Sequence, residues 1–159
     1  MIIESIVSTV SKRRSVNFAP FGIRKEKKEI IISPYIPSTT LNNLEETGNA
    51  SVNYIDDAAF FVNCIIGKKK FEKIKCSKIN CFFLKDALAH DEVVVESIKV
   101  NKVRPIFKCK IINKEEHKRF EGFNRARNSL IEACILASRV KILKKKKNIN
   151  GIERLKKFR

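Results

Sequence analysis

Three consecutive hydroxyl residues, Ser38, Thr39 and Thr40, stand directly before an amphipathic run from Leu41 to Thr47 that ends on Gly48. Hydroxyls at a helix start meet amides that have no partner within the helix. With the positive end of the helix dipole, they suit a phosphate dianion. Capping requires only one such residue, so two are in excess of structural need. Elsewhere the chain offers little for acid–base or nucleophilic work, and no catalytic residue is assigned. It has no GxSxG pattern, and neither histidine sits in a catalytic context. His117 in KEEHKRF reads as a solvated residue near a helix start, and His90 before Asp91 as a loop residue. The carboxylate pairs Glu45/Glu46, Asp56/Asp57 and Glu115/Glu116 are adjacent in sequence and do not face one another on a helix. The glycine patterns that cradle dinucleotides and nucleotide phosphates are absent.

The five cysteines, Cys64, Cys76, Cys81, Cys109 and Cys134, are odd in number and show no CxxC spacing. Neither a metal site nor a disulfide framework is expected, and reduced thiols in a cytoplasmic protein are the simplest reading. No apolar stretch approaches the roughly 20 residues needed to span a bilayer, and the first residues carry their charges on the wrong side for a secretory signal. No membrane association is expected. At 159 residues the chain has the size of one main domain with room for a small satellite. The formal charge of +17 makes a polyanionic partner worth weighing, although lysine-rich surfaces also serve solubility alone.

The first third reads as strands: residues 1–10, 15–23 and 29–36 are rich in β-branched and aromatic types. Pro20 places its run at an edge or a bulge, because proline cannot donate to a ladder. Thr39 or Thr40 is the expected cap of the helix that stops at Gly48, and a strand over 50–55 follows. A helix then begins near Asp57, with Asp56 or Asp57 as its cap. The basic stretch 67–80 reads as a loop. Strands are expected over 91–100 and 104–112, then an amphipathic helix from Phe123 to Leu143 and a short final helix from Ile152.

Taken together, NFAPFGI, SPYIPSTTLNNLEETGNASVNYIDD and GFNRARNSLIEACILASR resemble the FMN-binding split-barrel superfamily. They are most similar to a branch found in methanogens and methylotrophs that carries a small helical C-terminal subdomain. The resemblance implies a mainly β fold with α: a Greek-key split β-barrel over 1–113 and a helical subdomain over 114–159. That subdomain is expected to be shortened, since relatives of this branch continue further. It also implies a homodimer with FMN between protomers. Asn17, Phe18, Ala19 and Pro20 would lie along the isoalloxazine ring. Ser38, Thr39 and Thr40 would take the phosphate, Asn43 would support that turn, and Asn53 would sit beside the ring or ribityl chain. Asn124 and Arg125 would close the cofactor site or face a second anionic group.

A flavin brings its own redox centre, so the missing acid–base constellation is consistent with this reading. The leading expectation is a flavin-reductase-like oxidoreductase using a nicotinamide or deazaflavin donor. The alternative is a flavin carrier or accessory protein without turnover, in the pterin-linked one-carbon metabolism associated with that branch. A nucleic-acid-binding module is the weakest of the three, because the lysine run near the C-terminus has no interleaved aromatics and the chain has no tryptophan.

Overall fold

The computed structural model describes residues 1–140; the helix readings placed on 141–143 and from Ile152 onward lie outside the described residues. The chain divides into two compact units, Met1–Asp56 with Lys69–Phe120, and Asp57–Lys68 with Glu121–Arg159. In the first unit the elements are β1 (Ile2–Val10), β2 (Val16–Glu26), β3 (Glu29–Ile32), α1 (Thr39–Thr47), β4 (Asn49–Tyr54), β5 (Lys73–Lys75), β6 (Phe82–Leu84), β7 (Ala89–Lys99) and β8 (Ile106–Glu116). Six antiparallel strands close a barrel in the order β1-β2-β3-β8-β7-β4, and β5 and β6 form a separate hairpin. This is the expected split barrel.

The barrel closes because alternate residues of each strand are apolar and point inward. Val7, Ile23, Ile30, Ile32, Val52, Val93 and Phe107 fill the interior, joined by Leu41 and Leu44 of α1. On the outer face, Val10 packs with Cys76, Ile79, Cys81 and Phe83 from the hairpin segment. With cover on both sides, β1 reads in sequence as a nearly unbroken β run.

Pro20 stands opposite Ile6 in an unbroken register, so there is no bulge at that position. Its place is an edge in a restricted sense. β3 pairs only with Arg24–Glu26, so among the described residues no strand pairs with the flank of 16–23 turned away from β1.

Several expectations need correction. β3 ends at Ile32 and not at Ile36, because Pro34 lacks the N–H that a ladder requires. The following loop is held from outside: Arg104 Nε donates to the Ser33 carbonyl at 2.8 Å, its guanidinium lies 4.6 Å from the Tyr35 ring centre, and Ile36 N donates to the Val103 carbonyl. The cap of α1 is Ser38, whose Oγ accepts from Leu41 N at 3.3 Å, and not Thr39 or Thr40. Gly48 does end the helix in the left-handed region, at φ 66°, as its position predicts. The stretch 67–80 is not wholly a loop, since it contributes β5.

The second unit contains α2 (Ala59–Ile65) and α3 (Arg125–Arg139), which contact each other. The cap position of α2 is Ala58 and not Asp56 or Asp57, because the chain already turns helical at Ala58; Asp57 Oδ1 accepts from Ala59 N at 2.9 Å from one residue further out. No helix among the described residues is long and apolar enough to cross a membrane.

Candidate functional site

The first unit carries a cleft of about 490 Å³ lined by Arg14, Val16, Phe18, Lys69, Lys70, Phe71, Glu72 and Lys73. One wall is the start of β2, the other the stretch leading into β5. Phe18 and Phe71 meet edge to face with ring centres 5.5 Å apart, which fixes two aromatic surfaces at the cleft. Four basic side chains against one acidic one make its lining electropositive.

Asn17 is the connecting residue. Its Nδ2 donates to Thr40 Oγ1 at 3.1 Å, and its Oδ1 accepts from Lys69 Nζ at 3.2 Å. A lysine from the cleft wall, an amide from β2 and a hydroxyl from the first turn of α1 therefore form one chain. Ser38 is half-buried, Thr39 exposed and Thr40 buried. Leu41 N is taken by Ser38 Oγ, and the amides of Thr39 and Thr40 are first-turn donors that the helix itself leaves unused.

The other sequence-selected residues fall into three groups. Phe18, Ala19 and Pro20 follow Asn17 along the flank of β2 that lacks a partner strand. Asn43 and Asn53 are buried ties within the unit. Asn43 Nδ2 donates to Thr9 Oγ1 at 3.0 Å and fastens α1 to β1. Asn53 Nδ2 donates to the Ile6 carbonyl and to Ser8 Oγ, each at 2.8 Å, while its Oδ1 accepts from Leu84 N at 2.7 Å. Its amide thus ties β4 to β1 on one side and to β6 on the other. Asn124 and Arg125 belong to the second unit. Asn124 caps α3, its Oδ1 accepting from Arg127 N at 3.1 Å, and Arg125 is the first residue of that helix.

Sequence reasoning passed over Lys69, Phe71 and both histidines. Lys69 and Phe71 lie in a basic stretch with no periodicity, so only the fold brings them to β2. His90 is no loop residue: it lies in β7, fully buried, stacked on Phe83 with ring centres 4.0 Å apart. His117 is exposed, as expected, but belongs to the end of the barrel and not to a helix start: its Nε2 lies 2.8 Å from His90 Nδ1 and its ring also stacks on Phe83. Burial lowers the His90 pKa below the ordinary value, against the pull of Glu115 and Glu92, which favours the neutral imidazole. The available signal was HDE (90–92), which puts His90 and Glu92 on one face of a strand.

Burial pushes the Glu92 pKa up, but bonds from Asn113, from the amides of Lys78 and Ser77 and from the Ser77 hydroxyl pull it down further, to about 2. Of the two thiols at the hairpin end, Cys76 is pushed up by its contact with Cys81 and by burial. The same contact pulls Cys81 down against its own burial.

Residues 3–118 match the family described as protein of unknown function (DUF447), N-terminal domain. Among curated proteins none matches the chain. Among solved structures, the chain is similar to an FMN-bound protein of that family from Methanosarcina mazei: 21% identity over 97% of this chain and 83% of the other, TM-score 0.79. It is also similar to flavoredoxin from Methanosarcina acetivorans, at 14% identity over 79% and 76% of the two chains and a TM-score of 0.64. A third is nitrilotriacetate monooxygenase component B from Bacillus cereus, at 16% identity over 79% and 75% and a TM-score of 0.60.

Proposed function

Because the chain belongs to the DUF447 family through its N-terminal domain and has the split-barrel fold, we propose that it is an FMN-binding protein whose cofactor lies at the Asn17 cleft. The observation that carries this reading is the Lys69–Asn17–Thr40 chain, which joins a cation, a helix start and an aromatic-walled cleft. The residues present fit the cofactor. Ser38, Thr39 and Thr40 with Lys69 suit a phosphate dianion, as unspent first-turn amides, hydroxyls and an ammonium all favour it. Phe18 and Phe71 offer apolar surface to a flat ring system. The backbone of 17–20, with no strand on one side, supplies donors and acceptors for the polar edge of such a ring.

FMN, when bound, supplies hydride and single-electron chemistry, and the protein supplies position and field. The basic lining stabilises negative charge on the reduced flavin and attracts an anionic donor. Asn43 and Asn53 act from within, keeping α1, β4 and β6 in place around the cleft. In this reading the first unit, with the barrel, holds the cofactor, and the helices α2 and α3 of the second unit are an accessory. The working form is a cytoplasmic homodimer. Phe123, Leu130 and Val140, exposed by 87%, 43% and 55%, are apolar surface in the second unit that a second protomer would cover.

The test is titration of the apo-protein with FMN, followed by flavin absorbance and fluorescence, for the wild type and a Thr40→Ala variant. Wild type is expected to bind tightly and the variant to lose about 1–3 kcal/mol, the range for a hydrogen bond to a charged group. Equal binding by both would move the phosphate away from α1, and no binding by the wild type would end the flavin reading. Bleaching of bound flavin by NADH, NADPH or a reduced deazaflavin, followed by reoxidation by an added acceptor, marks an oxidoreductase. Flavin that is bound but reduced by none of these marks a carrier.

A further inference from the structure

The cleft beside β2 carries more positive charge than one phosphate needs. Lys69 is committed to the Asn17–Thr40 chain, next to the first-turn amides and hydroxyls of α1 that the FMN reading gives to the phosphate. Arg14, Lys70 and Lys73 line the same cleft, and among the described residues none of them forms an ion pair. Glu72, the acidic residue of the lining, does not offset them, because its Oε2 lies 2.6 Å from Nζ of Lys85, which stands outside the lining. Three cations therefore face one cleft from two walls, Arg14 from the turn before β2 and the two lysines from the stretch leading into β5. Gathering like charges is unfavourable by itself, and a bound polyanion reverses the sign.

Arg14 is held at the cleft by a closely bonded turn. Its φ is 62°, in the left-handed region, where a β-carbon crowds the backbone and asparagine or aspartate is tolerated better than arginine. Four hydrogen bonds fix the turn between β1 and β2. Arg14 N donates to the Ser11 carbonyl at 2.9 Å, Ser11 N to the Ser15 carbonyl at 3.0 Å, and Ser15 N to Ser11 Oγ at 3.1 Å. Lys12 N donates to Glu46 Oε2 at 3.1 Å, which fastens the turn to α1, the helix whose start is proposed to meet the FMN phosphate. A merely solvated surface does not call for arginine at a position that glycine would fill without strain. Strain that the surrounding bonds maintain beside a cleft points to a position kept for a ligand.

We infer that Arg14, with Lys70 and Lys73, forms a second anion site, beyond the FMN phosphate, that takes the diphosphate group of a nucleotide. Its placement rests on the FMN reading: Arg14 precedes Asn17 by three residues, while the proposed ring edge, 18–20, follows it. A guanidinium grips phosphate oxygens through two parallel N–H donors, and the lysines add point charges without that geometry. A single phosphate monoester carries about −1.5 to −2 at pH 7, so three cations are answered better by two phosphates. Two sources supply such a group: a dinucleotide electron donor that comes to the bound flavin, or the adenylate half of FAD standing in place of FMN.

The test is equilibrium dialysis of ADP, the diphosphate probe, against the full chain loaded with FMN and against the apo-protein, at low and high salt. Loaded wild type is expected to bind about one equivalent of ADP, with an affinity that falls steeply with salt, and no adenosine. Arg14→Gln should weaken ADP by about tenfold or more and Lys70→Gln by about threefold, while FMN affinity changes by less than about threefold in both. Arg14→Gly guards against a folding artefact: it relieves the left-handed backbone, so it should melt within a few degrees of wild type or above it and still lose ADP. FAD separates the two sources. If FAD binds more tightly than FMN and Arg14→Gln removes the gain, the diphosphate is the flavin's own; if FAD gains nothing while ADP binds beside FMN, it belongs to a second molecule. The inference is overturned if loaded wild type binds no ADP, if Arg14→Gln and Arg14→Gly bind it as well as wild type, or if Arg14→Gln weakens FMN as much as it weakens ADP, since Arg14 would then serve the first phosphate. Failure of the FMN reading is a separate result: apo-protein that takes no FMN but binds ADP through Arg14 keeps this site and ends that reading.

Discussion

Replacing Asn53 with alanine separates two roles that the sequence could not distinguish, a flavin contact and a tie between strands. The side chain makes three short bonds inside the first unit, to the Ile6 carbonyl, to Ser8 Oγ and from Leu84 N. Leu84, Ile6 and Ser8 are completely buried, so water cannot take over the vacated positions. Stranding the Leu84 amide costs about 1–3 kcal/mol, and losing each of the two donated bonds about 1 kcal/mol more. The sum, about 3–5 kcal/mol, is a large part of a typical domain stability of about 5–15 kcal/mol. At roughly 2–4 °C per kcal/mol for a chain of this size, the apo-protein should melt about 6–20 °C lower. Denaturant and thermal unfolding of the flavin-free protein, read by circular dichroism, measure this directly. A variant that keeps its apo stability within about 1 kcal/mol but loses flavin affinity would refute the reasoning, because Asn53 would then face the ligand and not the barrel.

Lys69→Met should weaken FMN binding and flatten its salt dependence, since the lost ammonium stands at the Asn17–Thr40 link; titrations at low and high ionic strength check this. Gly48→Ala should cost about 1 kcal/mol by chemical denaturation, because φ is 66° while no atom lies within 4 Å of the added methyl, so the penalty is backbone strain alone. Tyr54 should resist ionisation in the native state. Burial, then its hydrogen bond to Asp91 and that residue's charge, raise its pKa above the ordinary value of 10.0. Its contribution is therefore complete below pH 10 and is lost as pH rises further and the unfolded chain ionises; tyrosinate absorbance and stability, measured against Tyr54→Phe, should show that slope only in the parent protein.

The barrel strands were legible because each buries at least one face against the same core, and burial imposes a two-residue period on the chain. Ile30, Ile32, Val52 and Phe107 carry that period, and Gly48 marks a helix end by the one conformation it alone adopts cheaply. The hairpin was not legible for the complementary reason. β5 is Lys73–Ile74–Lys75, exposed along its whole length, with no buried face to impose a pattern. What holds that segment is Glu92, fifteen residues beyond Ser77, accepting the amides of Ser77, Lys78 and Ile79. Such a contact leaves no periodic trace. The same blindness hid His90, whose burial comes from the hairpin above it. Choosing Thr39 or Thr40 over Ser38 as the cap is a smaller miss of one kind: three adjacent hydroxyls are equivalent until the backbone at residue 38, extended at φ −157°, shows which one stands outside the helix.

The lysine-rich stretch that composition left as solvated surface has a more particular position. Its first part, Lys69 to Lys73, lines the cleft; its end, from Cys76 to Cys81, closes over His90 and Glu92. One short segment therefore reaches from the proposed cofactor cleft to the cover over His90, with β5 between its two parts. What fixes its end, the bonds from the amides of Ser77, Lys78 and Ile79 to Glu92, also restricts the arc over which Lys69 and Phe71 move relative to Asn17 and Phe18. Ordering that segment before a ligand arrives removes an entropic cost from ligand binding, so Glu92 contributes to affinity without lining the cleft.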